Sequence, residues 1–470
     1  MIGVLCAAVS AIAFILGLGT ADLWMFAWVA AVPILWLAFG GASTRRVAVA
    51  AAASYFVGQL GMLWPYRAAM GVVIFAIAVV PALAFMGAVL SARLAARRLP
   101  AAAAVLTFPA LWTGWEVLSS TLSPHGTFGA WAYSQLSMPV VVQSASLLGL
   151  WVIGFLIALF ASCLAFGVRR RAPSVIVAGC ALVLANIAFG GWTLDKPSPP
   201  TMRVAASARD HDDSVSPNGV ASQQAAEVRH LAERGAKVVV FEEKAALLPA
   251  DRRDAVLAPL VAAARETGVT VVAGYDQTGP ERRNVAFTIS PDGHVASYAK
   301  RHLIPGLESY YVAGASPGLL GTGESVAICK DFDFQRTLRL DAAAGAKAGG
   351  LGLMLAPAWD FGADGWLHAR MAILRGVEGG YAIVRAASNG LLTISDAQGR
   401  VRARHASGST RYASVIADVP LGTGPTLYVR IGDIFGWLAV AVGLLLVAFS
   451  LRAPSSATSA SARELPVPAR

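Results

Sequence analysis

Eight stretches of this 470-residue chain contain no charged side chain and are long enough to cross a lipid bilayer. An α-helix rises about 1.5 Å per residue, so about 20 apolar residues span the hydrocarbon core. Only 14% of the residues are charged and 56% are hydrophobic, whereas soluble domains carry about 25% charged residues. A disordered or wholly soluble protein is therefore excluded. The predicted spans are 1–20, 23–44, 47–64, 70–92, 99–115, 139–167, 172–194 and 434–451.

Basic residues predict the orientation of these spans. The loops after the second, fourth and sixth spans carry Arg45 and Arg46, then Arg93, Arg97 and Arg98, then 169–171. Cytoplasmic loops carry an excess of Lys and Arg, which places the amino terminus in the cytoplasm. Seven crossings then place residues 195–433 on the outer side of the membrane, and the last span returns the carboxyl terminus to the cytoplasm. Much of the net charge of +10 therefore lies in the arginine clusters that orient the spans. A positive charge of this origin does not indicate a nucleic-acid partner, and none is predicted.

The segment between the last two spans predicts an α/β domain. Short apolar runs such as 237–241 and 269–273 alternate with helical patterns such as 252–266, which is typical of that fold class. We therefore predict four parts along the chain. They are a seven-helix membrane domain at 1–195, the α/β domain at 196–430, a last membrane helix at 431–452 and a disordered cytoplasmic tail at 453–470.

The cysteines single out one thiol. Cys6, Cys163 and Cys180 lie within predicted spans, which leaves Cys329 alone in the outer domain. No disulfide can form within that domain, and a solitary thiol is a liability in an oxidising compartment. Cys329 is therefore either a buried, inert side chain or a residue retained for its chemistry.

Three predicted strands of the outer domain end in residues that could carry out chemistry. Glu243, Lys300 and Cys329 each follow an apolar strand. Acyl transfer by a thiol needs a base to take its proton and a cation to hold the developing oxyanion. Glutamate, lysine and cysteine supply these three roles. Taken alone, Glu243 and Lys300 are equally consistent with surface charges at strand ends.

The sequence around these residues resembles the carbon-nitrogen hydrolase (nitrilase) superfamily. The segment 241–245 is similar to its apolar-x-Glu-x-Ala motif, 298–305 to its Tyr-x-Lys-x-His-Leu-x-Pro motif, and 326–329 to its nucleophile strand. The eight-span frame, with the hydrolase domain between spans seven and eight, resembles the apolipoprotein N-acyltransferases, a membrane-embedded branch of that superfamily. Further similar segments are Trp115-Glu116, 131–135, 358–362, 368–371, 375–378, 384–390 and 422–433.

This resemblance implies a fold and a reaction. The outer domain would be a nitrilase-like αββα sandwich, attached to a multi-span helical membrane domain of about eight helices. Glu243 would take the thiol proton, Cys329 would attack an ester carbonyl of a membrane phospholipid, and Lys300 would stabilise the oxyanion. The resulting thioester would pass its acyl group to the amino-terminal diacylglyceryl cysteine of a lipoprotein, forming an amide.

The resemblance also implies supporting roles and a location. Glu308 matches a second carboxylate of the family and would position Lys300 or relay protons. No metal or organic cofactor is implied, and the histidines and cysteines show no metal-ligand spacing. The protein would lie in the inner (cytoplasmic) membrane of a bacterium, with the catalytic domain on the periplasmic side and both termini in the cytoplasm. Glu116 would contact lipid headgroups or the domain above, or pair with an arginine as an interfacial carboxylate.

Two departures from the family pattern keep alternatives open. Lys330-Asp331 follows the nucleophile where the family has an aromatic residue and a glutamate, and only 28 residues separate Lys300 from Cys329. A membrane-bound amidase or acyltransferase of the same superfamily, acting on another amine or lipid, is therefore an alternative. A transporter or receptor with an outer binding domain is a third. His368 and Arg385 also match family positions. The alternatives to a functional role are that His368 is a satisfied core residue and that Arg385 pairs with Glu378.

Overall fold

The computed structural model describes residues 1–454 apart from 211, 213 and 322. Its helices are α1 (Ile2–Leu18), α2 (Met25–Ala30), α3 (Val32–Ala38), α4 (Thr44–Leu63), α5 (Arg67–Met70), α6 (Val73–Arg98), α7 (Ala101–Leu122), α8 (Pro139–Val142), α9 (Ala145–Leu148), α10 (Leu150–Arg170), α11 (Pro173–Leu194), α12 (Pro217–Glu233), α13 (Arg253–Thr267), α14 (Gln335–Lys347), α15 (Gly365–Gly379), α16 (Leu427–Ile431) and α17 (Ile434–Arg452). Short 3-10 helices are Trp64–Tyr66, Trp131–Gln135, Ala250–Arg252 and Cys329–Asp333. Most of the predicted tail, 455–470, lies outside the described residues.

Six helices of the described chain are long and apolar enough to cross a membrane. They are Thr44–Met70, Val73–Arg98, Ala101–Leu122, Leu150–Arg170, Pro173–Leu194 and Ile434–Arg452. The first predicted span is the 17-residue helix α1, which is about 26 Å long at 1.5 Å per residue. The second is divided into α2 and α3 around Ala31, where Pro33 near the start of α3 lacks the amide proton that a continuous helix would use.

The predicted sixth span starts too early. Residues 139–148 form the short helices α8 and α9, and the long helix α10 begins only at Leu150. Gly149 separates them with φ of +74°, a left-handed conformation that glycine adopts without steric cost. The apolar pattern alone cannot reveal this break, because both sides of it are equally hydrophobic.

The membrane helices pack closely at small residues. A side chain added at Gly114 in α7 would meet the backbone of Val440 in α17 at 3.2 Å, and one at Gly443 would meet Leu111 at 2.9 Å. Small residues let helix backbones approach each other in membranes, where van der Waals contact replaces the hydrophobic effect. The last helix is therefore an integral part of the helical unit although more than 230 residues precede it after α11.

The outer domain contains two β-sheets. Its strands are β1 (Thr201–Ala208), β2 (Val238–Val240), β3 (Leu247–Pro249), β4 (Thr270–Thr278), β5 (Arg283–Ile289), β6 (Val295–Ala299), β7 (Glu324–Val326), β8 (Leu353–Trp359), β9 (Ala382–Ser388), β10 (Leu391–Ser395), β11 (Val401–Ala406) and β12 (Ala413–Pro420). One sheet has the order β12-β1-β2-β4-β5-β6 with β3 beside β4, and the other has the order β11-β10-β9-β8-β7.

The two sheets face each other and carry helices on their outer sides. Alternate residues of a strand point to opposite faces, so Val238 and Val240 join the core between the sheets while Val239 packs towards α12 and α13. Helices α14 and α15 cover the second sheet. The predicted αββα sandwich is thus confirmed.

Helix α15 also joins the outer domain to the membrane helices. Its apolar residues Met371, Ile373, Leu374 and Val377 belong to the same buried cluster as the membrane-helix side chains. One face of the hydrolase domain is therefore held firmly against the helical unit.

Candidate active site

Cys329 lies at the turn that follows β7. It begins the 3-10 helix Cys329–Asp333 and has φ of +41°, a strained conformation for a residue with a side chain. Its Sγ lies 3.5 Å from the carbonyl oxygen of Trp359. The side chain is only partly buried and lines a cavity. The strained turn therefore presents the thiol to a space that a ligand could enter.

Asp331 fixes this turn. One oxygen of its buried carboxylate accepts hydrogen bonds from Ile328 N (3.0 Å) and the Tyr298 hydroxyl (2.6 Å). The other accepts from the backbone amides of Arg301 (3.2 Å) and His302 (2.9 Å). The carboxylate thus ties the nucleophile turn to the segment that carries Lys300. Asp331, one of the two residues in which this chain departs from the family pattern, therefore has a structural role.

Lys300 and two carboxylates form a buried ionic group. The Lys300 side chain is fully buried, and its Nζ lies 2.8 Å from Glu243 Oε1 and 2.9 Å from Glu308 Oε2. Glu243 follows β2 and Lys300 follows β6, so the sheet brings together residues that are 57 positions apart. Glu308 Oε2 also accepts from Ile304 N at 2.9 Å.

Two further residues of this group were missed by the sequence analysis. Asn284 donates from Nδ2 to Glu243 Oε1 (2.5 Å) and to Glu308 Oε1 (3.1 Å). Lys244 Nζ lies 3.2 Å from Glu308 Oε1. The one available signal for Asn284 was a polar residue at the start of an apolar strand. Both residues restrain the carboxylates in the positions needed to flank Lys300.

The electrostatics of the group keep the cation charged and the thiol neutral. Burial, the largest single effect, would lower the pKa of Lys300, but the neighbouring negative charges, Glu243 foremost and Glu308 with it, together outweigh burial and raise that pKa above its ordinary value. Burial raises the pKa of the Cys329 thiol, and the negative charge of Glu243 raises it further. A thiol that is neutral at rest requires a base at the moment of attack.

Glu308 stays ionised. Burial would raise the pKa of its carboxyl, but the charges of Lys300 and Lys244 dominate and lower it to about 2. A carboxyl with a depressed pKa contributes stability above its unfolded pKa of about 4.3 and loses that contribution as the pH falls towards about 2. Glu308 therefore supports the fold at neutral pH.

We expect Glu308→Gln to lower the free energy of unfolding by about 1.5–3 kcal/mol at neutral pH, because hydrogen bonds to charged groups are lost. The deficit should shrink as the pH falls below about 4.3, where the wild-type carboxylate loses its advantage. Thermal unfolding in detergent across this pH range measures both effects. A deficit that is independent of pH would contradict the assigned ion pairs.

The cavity beside Cys329 has a volume of about 640 Å³ and lies between the hydrolase domain and the membrane helices. Its wall on the membrane side is mainly apolar and aromatic, and its wall on the domain side includes the thiol and Lys330. Lining residues from both units include Tyr55, Met62, Leu63, Tyr66, Ile77, Trp112, Trp115, Leu118, Ile304, Leu307, Cys329, Trp359 and Phe361. An extended apolar ligand can therefore reach the thiol from the membrane side.

Lys330 and Glu116 are two of the charged residues in this lining. Lys330 Nζ lies 3.0 Å from Asp333 Oδ2 and 3.4 Å from His125 Nδ1, so the cavity has a paired cation beside the thiol. Glu116 Oε1 accepts from Trp131 N at 2.8 Å. Among the described residues Glu116 has no arginine partner, contrary to one of the two expectations. Its carboxylate instead fixes the start of the 3-10 helix Trp131–Gln135.

The expected pairing of Arg385 with Glu378 is wrong. Arg385 pairs with Asp360, with Nη1 3.1 Å from Oδ2, because Asp360 directly follows β8 and Arg385 lies in the neighbouring strand β9. Glu378 instead contacts Arg375 at 2.5 Å and accepts from Leu150 N at 2.6 Å. Glu378 therefore binds the first turn of a membrane helix and not Arg385.

Comparison with known proteins identifies the family to which the chain belongs. The model of the apolipoprotein N-acyltransferase N-terminal domain matches residues 10–163, and the carbon-nitrogen hydrolase model matches residues 201–420. The first match covers membrane helices and the second covers the outer α/β domain, so the two matches agree with the two parts of the fold. The chain belongs to the apolipoprotein N-acyltransferase family.

Members of this family are similar to the chain over most of its length. An apolipoprotein N-acyltransferase from Geobacter metallireducens is 28% identical over 398 residues, which covers 75% of each chain. One from Chromobacterium violaceum is 27% identical over 387 residues, covering 74% of this chain and 72% of the relative. Among solved structures, an amidase from Nesterenkonia sp. is 22% identical with a TM-score of 0.42, covering 50% of this chain and 94% of that one.

Proposed function

We propose that this protein moves a fatty acyl group from a membrane phospholipid, through a thioester on Cys329, to the amino-terminal diacylglyceryl cysteine of a lipoprotein. The observation that carries the proposal is the apolar cavity of about 640 Å³ that joins the Cys329 thiol to the membrane helices. The names of the related family members support a lipoprotein as the acceptor. They do not favour the alternative of another superfamily amidase.

The first half-reaction forms the thioester. Glu243 takes the thiol proton while the sulfur of Cys329 attacks the ester carbonyl of the phospholipid. The Lys300 ammonium stabilises the tetrahedral oxyanion, because it is already charged and fixed between two carboxylates. When the intermediate collapses, the carbon–oxygen bond breaks and the proton on Glu243 passes to the departing lysophospholipid hydroxyl.

The second half-reaction forms the amide. The uncharged amine of the lipoprotein attacks the thioester carbonyl, and Lys300 again holds the oxyanion. The carbon–sulfur bond then breaks, and a proton of the amine passes through Glu243 to the Cys329 sulfur. The resting thiol is restored, so each cycle transfers one acyl chain and consumes no cofactor.

Transfer to a lipoprotein is tested with the purified protein in detergent. Phospholipid carrying a labelled acyl chain is added with a synthetic peptide that begins with diacylglyceryl cysteine. We expect a labelled, amide-linked peptide that hydroxylamine does not cleave. A matched peptide with a blocked amino terminus should gain no label. Turnover of simple amides without label on the free peptide would support the amidase alternative instead.

We further propose that the hydrolase domain lies on the periplasmic side of the inner membrane, with both termini in the cytoplasm. The arginine clusters 45–46 and 169–171 support this orientation. A reporter active only outside the cytoplasm should give no signal when inserted in the 169–171 loop, and strong signal when inserted after residue 195. Strong signal from the 169–171 loop would overturn the orientation.

A further inference from the structure

His368 lines the cavity that contains Cys329 and forms a second titratable pair with Asp364 behind it. Asp364 directly precedes α15, and His368 lies one turn into that helix, with its Nε2 3.0 Å from Asp364 Oδ2. Asp364 is fully buried, and its Oδ1 accepts from Phe361 N at 2.8 Å. The carboxylate is therefore fixed, and its second oxygen is directed at the imidazole.

This contact favours the protonated form of His368. Asp364 Oδ2 is buried and has no hydrogen-bond partner among the described residues, and a negative charge 3.0 Å from the ring stabilises an imidazolium. Nε2 also lies 3.1 Å from the Tyr66 hydroxyl of the membrane unit. The side chain is 19% exposed, and its exposed part belongs to the cavity wall.

His368 lines the same cavity as the thiol. Cys329 Sγ contacts the Trp359 carbonyl, and two residues later the Phe361 ring packs on Tyr66 with ring centroids 5.7 Å apart. Tyr66 in turn contacts His368. A continuous wall of the cavity thus connects the nucleophile to the imidazole.

The surroundings of His368 adjust its proton affinity. Burial alone would lower the pKa of the imidazole, but the contact with Asp364 outweighs it and raises that pKa above its ordinary value. Asp360 and Asp333 act in the same direction, and Tyr66 faces the ring from the membrane unit. An ordinary imidazole has a pKa of about 6.5 and an α-amino group about 7.7–8.0. The shift therefore brings the two groups closer in proton affinity.

The second half-reaction includes one proton transfer that is not assigned to Glu243, Lys300 or Cys329. The acceptor arrives largely as an ammonium group at neutral pH, and this group must lose one proton before it has a lone pair for attack. A second proton leaves the nitrogen during amide formation and passes through Glu243 to the sulfur. Because Glu243 serves that second transfer, the first proton goes to another acceptor, and a base beside the amine would speed the step relative to solvent.

We propose that His368, held by Asp364, removes the first proton from the acceptor ammonium group, which makes the amine able to attack the thioester. This proposal rests on the function proposed above. The transfer converts ammonium and neutral imidazole into amine and imidazolium, and the imidazolium then releases its proton to water. Asp364 acts as a positioning residue because its buried carboxylate faces the ring and stabilises the imidazolium.

The test separates the two half-reactions in His368→Gln, with His405→Gln as a matched control at an exposed histidine outside the cavity lining. The acyl-enzyme is first formed with phospholipid and measured by intact mass. It is then treated with the diacylglyceryl peptide or with hydroxylamine, which is largely uncharged near neutral pH. We expect His368→Gln to form acyl-enzyme at the wild-type rate and to react normally with hydroxylamine. Its reaction with the peptide should be about 10²-fold slower, whereas His405→Gln should react with the peptide at the wild-type rate.

The pH dependence of the reaction with the peptide distinguishes a base from a residue that only supports the fold. The His368→Gln deficit should shrink above about pH 8, where the peptide amine arrives uncharged. Asp364→Asn should show a smaller deficit with the same pH dependence. Equal slowing with hydroxylamine, loss of acyl-enzyme formation, or a deficit independent of pH would each overturn the assignment to His368. Absence of acyl-enzyme in the wild-type protein would instead contradict the proposed function itself.

Discussion

Glu243→Gln should slow formation of the acyl-enzyme by about 10²–10⁴-fold at neutral pH, the usual contribution of general base catalysis. Glutamine has nearly the same size and keeps an oxygen that can accept from Lys300 and Asn284, so the fold should persist. The variant lacks the Glu243 carboxylate, which takes the thiol proton in the proposed mechanism. Single-turnover intact-mass measurements with phospholipid give the rate directly.

The pH dependence makes this prediction specific. Burial and the charge of Glu243 both raise the pKa of Cys329, so the neutral glutamine removes one of the two causes. The thiol of the variant should therefore ionise at lower pH than in the wild-type protein, and the deficit should narrow at alkaline pH. A deficit that widens with pH would contradict the base assignment.

The neighbouring carboxylate offers a matched control. Glu242 is also buried, but its Oε1 accepts from the Tyr412 hydroxyl at 3.1 Å and it has no contact with Lys300 among the described residues. Burial raises the pKa of Glu242 to about 8. Glu242→Gln should leave acyl-enzyme formation near the wild-type rate. An equal loss in both variants would indicate general disturbance of this strand end.

Lys300→Met should abolish detectable transfer and also destabilise the protein. Loss of a donor to the oxyanion alone costs about 10²–10³-fold in rate. In addition, Glu243 and Glu308 would be left buried beside each other with no cation between them, and removing one partner of a buried ion pair costs about 3–5 kcal/mol. One of the carboxyls would then hold a proton, which weakens Glu243 as a base.

A second substitution separates the two effects. In the double variant with Lys300→Met and Glu308→Gln, one buried negative charge is removed with the positive one. We expect thermal stability to recover substantially while transfer remains absent, because the oxyanion still lacks its cation. Recovery of transfer together with stability would show that Lys300 acts only as a structural counter-ion.

The apolar pattern predicted the α/β domain because both faces of its central strands are buried, whereas the αββα arrangement of the two sheets was implied by the family resemblance. Val238 to Val240 are apolar on both faces, and turn residues separate such runs clearly. The membrane spans were predicted less well at Ala31 and Gly149, where helices break inside continuous apolar sequence. Hydrophobicity reports the environment of a segment but not the local backbone geometry within it.

For the site, motifs located Glu243, Lys300, Cys329 and the supporting Glu308, but gave no supporting role to Asn284 or Asp331. Asn284 and Asp331 act through contacts with residues 41 and 33 positions away, respectively. The contact between Tyr66 and His368 spans 302 positions and joins the membrane unit to the hydrolase domain. Such partners depend on how separate elements pack, and a local pattern does not contain that information.

The central claim is that Cys329 carries the acyl group as a thioester. The most direct measurement is the intact mass of the protein purified with its native lipids, before and after hydroxylamine, with Cys329→Ala alongside. We predict a fatty-acyl adduct on the wild-type protein that hydroxylamine removes and that the variant lacks. No adduct on the wild-type protein, even with added phospholipid, or the same adduct on Cys329→Ala, would contradict the account.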